Sequence, residues 1–178
     1  MANDGTPNFL RRCGRPHRAL ERRRIPTGAP GLRLRFYPGV RVDVRAALKS
    51  FARWLRRELR FRHPVRVTVV PHATVMGHEG AAGWAVFMIP PADYAPGDVV
   101  RIFVGAGKVD VLERRYGLEP PDSVVRLLHD LAHEAVHYEQ WRDGRPVTER
   151  GVNRRAEALV ARYVEWSARP RTPGRRAP

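Results

Sequence analysis

The chain has 178 residues, which suits one domain with short tails. Its hydrophobic content of 43% is enough for a core, but no apolar run is long enough to cross a bilayer, so a membrane-spanning protein is not expected. The formal net charge of +15 indicates attraction to anionic partners. A single cysteine, Cys13, excludes a framework of internal disulfides, and the basic N-terminus has no apolar signal segment. A cytoplasmic location is therefore expected.

Much of the basic excess lies at the two ends of the chain. The arginines concerned are Arg11, Arg12, Arg15, Arg18, Arg22, Arg23 and Arg24 near the start, and Arg169, Arg171, Arg175 and Arg176 near the end. Basic segments that also contain proline and glycine usually stay disordered. Residues 1–31 are thus predicted to be a flexible arm and residues 169–178 a disordered tail. Either segment could contact nucleic-acid phosphates nonspecifically, or simply be solvated.

The segment between arm and tail, residues 32–168, is predicted to form one domain. Hydrophobic periodicity and turn residues predict, in chain order, a strand at 32–36, a helix at 44–62, strands at 65–70, 84–89 and 99–104, a short helical turn at 112–116, a long helix at 123–141 and a last helix at 150–168. This order indicates an α+β fold. A small three- to four-stranded sheet would pack on the first helix and on the long one.

The long predicted helix contains the most informative motif, His133-Glu134-Ala135-Val136-His137. Residues four apart share one face of a helix, so both imidazoles can reach one Zn²⁺. The glutamate between them can reach a water molecule on that metal. Helical phasing places the histidines opposite the apolar face. The alternative is a pair of solvent-facing histidines on an ordinary amphipathic helix.

A catalytic zinc usually takes three protein ligands, and no histidine follows His137. The third ligand would then be a carboxylate, and the candidates are Glu139, Asp143, Glu149, Glu157 and Glu165. Glu139 points away from His137, Asp143 and Glu149 fall in or near a turn, and Glu165 has the character of a solvated charge. We predict Glu157, because its neighbours Val160, Ala161 and Val164 look packed against the long helix. A carboxylate on such a face is costly unless a metal compensates it.

An H-E-x-x-H helix followed by a glutamate on the next helix resembles the gluzincin class of metallopeptidases. Minigluzincins and IrrE/ImmA-type peptidases are nearest in size, and the resemblance covers about residues 40–166. It implies a minimal zincin-like domain that hydrolyses a protein or peptide substrate. His133, His137 and Glu157 would bind zinc, and Glu134 would be the general base. Thermolysin-like members carry an aspartate four residues after the glutamate ligand, which supports the first histidine. That position is Ala161 here, which leaves Asp130 as a candidate support.

Two parts of such a site stay open at the level of sequence. The group that stabilises the oxyanion could be His129, His72, His78, Tyr138 or Tyr163. The strand that pairs with an extended substrate could be residues 83–87 or 100–104.

Two other functions compete with a general peptidase. One is a protease for protein attached to DNA, of the Spartan type, which the basic ends favour. The other is a nucleic-acid-binding regulatory protein whose zinc site is structural or vestigial.

Overall fold

A computed structural model describes residues 29–77, 80, 82–95 and 97–169 of the chain. Most of the predicted arm and nearly all of the predicted tail lie outside these residues, as does His78. Within them the strands are β1 (Gly31–Phe36), β2 (Pro64–Val70), β3 (Val75–Met76), β4 (Ala82–Gly83), β5 (Ala85–Met88) and β6 (Val100–Gly105). The helices are α1 (Val42–Glu58), α2 (Lys108–Tyr116), α3 (Pro120–Arg142) and α4 (Val152–Ala168).

Four strands form the main sheet in the order β1-β2-β6-β5. β1, β2 and β6 are parallel, whereas β5 runs antiparallel to β6 and lies at the edge. β3 and β4 form a separate antiparallel pair. β5 pairs with β6 alone and is therefore an edge strand of this sheet. α3 packs against β5.

Alternation along the strands gives the sheet one apolar face. Leu32, Val65 and Val100 are aligned across three strands, and each is about 1% exposed. α1 and α3 cover this face, and the core side of α3 is fully buried at Leu127, Leu131, Ala135 and Tyr138. Burying a side chain of this size stabilises the fold by about 1.5 to 3 kcal/mol. This packing holds α3 in a fixed position against the sheet.

The described residues combine helices with a small four-stranded sheet, an arrangement compatible with the expected α+β class. The predicted strands agree with β1, β2, β5 and β6 to within a few residues. The helical turn predicted at 112–116 was too short, because α2 already begins at Lys108. No described helix combines the length and the apolar character that crossing a bilayer would require.

Candidate metal centre

The helix α3 and the loop that follows it bring three possible metal ligands together. His133 and His137 lie one turn apart on α3, and Glu149 lies just before α4. The two Nε2 atoms are 3.0 Å apart. Glu149 places Oε2 3.2 Å from the Nε2 of His133 and Oε1 3.2 Å from that of His137. Among the described residues, these three form the only group of histidine, cysteine and acidic side chains close enough to share an ion.

The dimensions of this cluster fit zinc. Zinc–nitrogen and zinc–oxygen bonds measure about 2.0 to 2.2 Å, so neighbouring ligand atoms in a tetrahedral site lie about 3.3 Å apart. The three observed separations lie close to that value, with each histidine next to a different oxygen of Glu149. The donor set of two imidazoles and one carboxylate also suits zinc chemically.

Gln140 determines which nitrogen of His137 carries the proton. Its Oε1 lies 3.0 Å from the Nδ1 of His137. The amide of Gln140 cannot be turned around, because its Nε2 donates to the carbonyl of Thr148 and its Oε1 accepts from the Thr148 backbone N–H. An amide oxygen only accepts, so Nδ1 of His137 must be the N–H donor. In the neutral ring this leaves Nε2 with a lone pair directed at the cluster.

Asn153 faces the Nδ1 nitrogen of His133 in a similar way. Its Oδ1 lies 2.9 Å from Nδ1 of His133, an arrangement in which the ring donates from Nδ1. The pKa of His133 is lowered, mainly by burial, and this favours the neutral ring. Both histidines therefore direct Nε2 towards each other and towards a carboxylate. Three donor groups that meet in this way can share one cation.

Glu134 lies on the neighbouring face of α3, against the edge strand. The backbone N–H of Phe87 donates to its Oε2 at 2.5 Å, and the residue is 7% exposed. Burial raises the pKa of Glu134 to about 7, and the charges of Glu149 and Asp130 add to the rise, although the Phe87 hydrogen bond opposes it. A carboxyl group with this pKa can both accept and release a proton near neutral pH.

Asp130 does not support His133, contrary to the expectation from sequence. Its two carboxylate oxygens bind the ammonium group of Lys108 at 2.6 and 2.8 Å. Burial raises the pKa of Asp130, and the Lys108 ammonium group opposes that rise. The pair ties the start of α2 to α3, and Lys108 also lies over the ring of Trp84. The support for His133 comes from Asn153 instead.

The structure does not bring Glu157, the predicted third ligand, into the cluster. Glu157 is exposed on α4, as are Ala161 and Val164, which were expected to pack against α3. The buried side of α4 consists of Val152, Ala156, Leu159, Val160 and Tyr163. The rotation of the helix about its axis was therefore misjudged. Glu149 takes the position that the prediction gave to Glu157.

The other carboxylate candidates lie outside the cluster, and two of them form ion pairs with arginines. Glu139 forms a two-pronged pair with Arg155 at 2.7 and 3.0 Å and so joins α3 to α4. Asp143 pairs with Arg142, and Glu165 is exposed. The sequence argument that excluded Glu139 as a ligand is consistent with this pairing.

Two candidates for the oxyanion-stabilising group, Tyr138 and Tyr163, lie away from the cluster. Tyr138 is fully buried, and its hydroxyl accepts from the backbone N–H groups of Arg62 and His63. Tyr163 packs among core aromatic rings. His129 is nearer, with its ring centroid 6.5 Å from that of His133, and it stays a candidate.

The sequence argument did not identify Gln140 or Asn153, although the position of Asn153 indicates its role. The expected support lies four residues after the glutamate ligand, and Asn153 is four residues after Glu149. Applied to every candidate carboxylate, the same spacing selects Glu139, which Asp143 follows, and Glu149, and only Glu139 was already excluded because it points away from His137. Gln140 contacts His137 and the backbone of Thr148 in the folded loop, and no local sequence pattern predicts these contacts.

Comparison of the chain with protein-family models, with curated proteins and with solved structures gives no match.

Proposed function

We propose that this protein is a zinc-dependent peptidase whose metal ligands are His133, His137 and Glu149. One observation carries the proposal: an amide oxygen faces Nδ1 of each histidine, so that two Nε2 atoms and a carboxylate meet within 3.2 Å. A single cation would satisfy all three donor groups. The gluzincin-like ligand set is kept, with Glu149 in the place of Glu157. The zincin-like fold and a cytoplasmic location stay predictions.

The exposure of the ligands favours a catalytic site over a structural one. Structural zinc sites are closed by four protein ligands, whereas catalytic sites keep one position open. The Glu149 side chain is 75% exposed and that of His133 is 19% exposed. No fourth ligand joins the group within the described residues. Substrate and water would therefore have access to the metal.

Glu134 is the general base in this proposal. A zinc ion held by His133, His137 and Glu149 would supply Lewis acidity and would lower the pKa of the attacking water. Glu134 accepts the proton of the attacking water and passes it to the departing amine.

The edge strand β5 is the proposed site for an extended substrate. One side of β5 pairs with β6, and the backbone N–H of Phe87 points the other way, towards Glu134. β6 is flanked by strands on both sides, so it is not available for pairing. A peptide added along β5 would bring its backbone next to Glu134. It would also compete with the Glu134 carboxylate for the N–H of Phe87.

The variant Glu134→Gln tests whether the centre is catalytic. It should keep the zinc content of the wild type and lose hydrolysis of a mixed library of fluorogenic peptides by a factor of about 10² to 10⁴. The control is Glu165→Gln on the exposed surface, which should change neither the zinc content nor the rate of peptide hydrolysis. Glu139→Gln does not serve as a control, because it would weaken the Arg155 pair that joins α3 to α4. Hydrolysis that survives in Glu134→Gln would contradict the assignment.

A further inference from the structure

The solvent-facing side of α1 carries a line of basic residues. Its members, Lys49, Arg53, Arg56 and Arg57, are all exposed, and we call them the basic stripe. At about 100° per residue, these four positions fall within an arc of about 100° around the helix. The arc lies opposite the core side of α1, which is fully buried at Phe51. Helical phasing therefore gathers the charges on the side of α1 that faces away from the core.

Carboxylates do not compensate the basic stripe within the part of the chain that the structure describes. The two acidic residues of α1 bind arginines outside the stripe, since Asp43 pairs with Arg41 and Glu58 pairs with Arg162. Like charges four residues apart on a helix destabilise it, and the stripe contains this spacing twice. The arrangement therefore costs stability in the isolated chain.

The helix dipole accounts for only part of the basic stripe. Basic side chains are favourable in the last turn of a helix, where Arg56 and Arg57 lie. The effect falls off within that turn, so it does not extend to Lys49 or Arg53. An anionic partner that lies along α1 accounts for all four positions.

We propose that the basic stripe binds the phosphate backbone of a nucleic-acid duplex. From Lys49 to Arg57 the helix rises about 12 Å, and a duplex presents about one negative charge per 1.7 Å of its axis. The guanidinium groups of the stripe also present paired N–H donors that match phosphate oxygens. The proposal does not depend on the peptidase activity.

Aromatic rings hold two members of the stripe in position. Nζ of Lys49 lies 5.8 Å from the ring centroid of Phe36, and Cζ of Arg57 lies 5.8 Å from that of Trp166. Neither contact neutralises the charge. Each one restricts a long side chain before the partner arrives, which lowers the entropic cost of binding.

Other anionic partners fit the basic stripe less well. A helix that binds a membrane surface inserts its apolar side between the lipids, but the apolar side of α1 is buried in the core. A single strand stacks its bases on aromatic rings, yet the rings beside the stripe, Phe36 and Trp166, already contact Lys49 and Arg57. Even an unbroken acidic run in an extended peptide carries only about one charge per 3.3 Å, which is half the density of a duplex.

The test measures binding of a fluorescently labelled DNA duplex to the full chain over a series of salt concentrations. The stripe variant combines Lys49→Gln, Arg53→Gln and Arg57→Gln. Arg56 is kept, because it also binds the carbonyl oxygen of Leu32. The variant should bind about tenfold or more weakly. The slope of log affinity against log salt should become shallower by about 2 to 3, because each lost phosphate contact removes about 0.9.

A matched control removes the same number of charges elsewhere. It combines Arg114→Gln, Arg126→Gln and Arg154→Gln, which are exposed on α2, α3 and α4. The control should change the affinity less than about twofold. Thermal unfolding checks that both variants fold, and the melting temperature of the stripe variant should be close to that of the wild type, because the residues replaced are exposed.

Three results would overturn the proposal. The first is an equal loss of affinity in the stripe variant and the control, since only overall charge would then matter. The second is an equal loss, in the stripe variant, of affinity for poly-glutamate or for vesicles of phosphatidylserine and phosphatidylcholine, which would assign the stripe to acidic proteins or to membranes. The third is an unchanged salt slope. If the stripe variant does not fold, Arg53→Gln alone should still make the slope shallower by about 0.9, and an unchanged slope there would overturn the proposal equally.

Discussion

Amide side chains decide which nitrogen of each histidine is available to a metal. Asn153 and Gln140 each present a carbonyl oxygen to an Nδ1 atom, at 2.9 and 3.0 Å. Both rings are thereby turned so that Nε2 points to Glu149. Groups that hold a ligand's other nitrogen in this way typically change metal affinity by a factor of 10 to 100 when they are lost.

Replacing Asn153 tests this role at the level of one residue. Asn153→Ala should weaken zinc binding by about 10- to 100-fold, because His133 loses the acceptor that fixes its tautomer. Asn153→Asp should restore the affinity, since a carboxylate accepts the same hydrogen bond. Competition with a chromogenic chelator measures both. Equal affinities for the wild type and Asn153→Ala would remove Asn153 from the centre.

At the level of elements, the turn from β6 into α2 contains glycines that lie very close to the backbone of the loop after β2. A Cβ atom on Gly107 would lie 2.4 Å from the carbonyl oxygen of Pro71 and 2.8 Å from the nitrogen of Ala73. Gly107 has an ordinary φ of −63°, so the constraint is contact and not backbone strain. This contact fixes the loop after β2 against the start of α2, where Lys108 reaches Asp130.

We expect Gly107→Ala to lower the free energy of unfolding by about 1 to 3 kcal/mol or more, because the added methyl group must displace backbone atoms. The control Gly144→Ala introduces strain alone, since Gly144 has a φ of 66° and open space around it. It should cost about 1 to 2 kcal/mol. Urea unfolding measures both. A smaller loss in Gly107→Ala than in the control would refute the proposed close packing.

The sequence predicted where the helices and strands lie along the chain better than it predicted which side of α4 is buried. Alternating β-branched residues identified β2 and β6, and hydrophobic periodicity identified α3, although α3 begins at Pro120 and not at the predicted residue 123. α4 carries small or apolar residues on two of its faces. Val160 and Val164 look alike in sequence, yet Val160 is 6% exposed and Val164 is 43% exposed. Which of them is buried depends on how α4 packs against α3, and this is not encoded locally.

At the level of the whole molecule, the candidate centre depends on contacts between elements distant in sequence. α3 supplies the histidines, the loop bound by Gln140 supplies Glu149, α4 supplies Asn153, and β5 holds Glu134 through Phe87. A sequence pattern could identify the H-E-x-x-H helix, because its spacing is local. The third ligand could not be fixed in the same way, because the path of the loop from Asp143 to Gly151 decides it.

The metal content of two single variants tests the central claim most directly. Glu149→Ala and Glu157→Ala each remove one exposed carboxylate, so their general effects on charge and stability should be similar. After zinc loading and dialysis against a weak chelator, we expect Glu157→Ala to retain zinc as the wild type does and Glu149→Ala to lose it. Retention of zinc by Glu149→Ala, with loss from Glu157→Ala, would contradict the ligand set proposed from this structure.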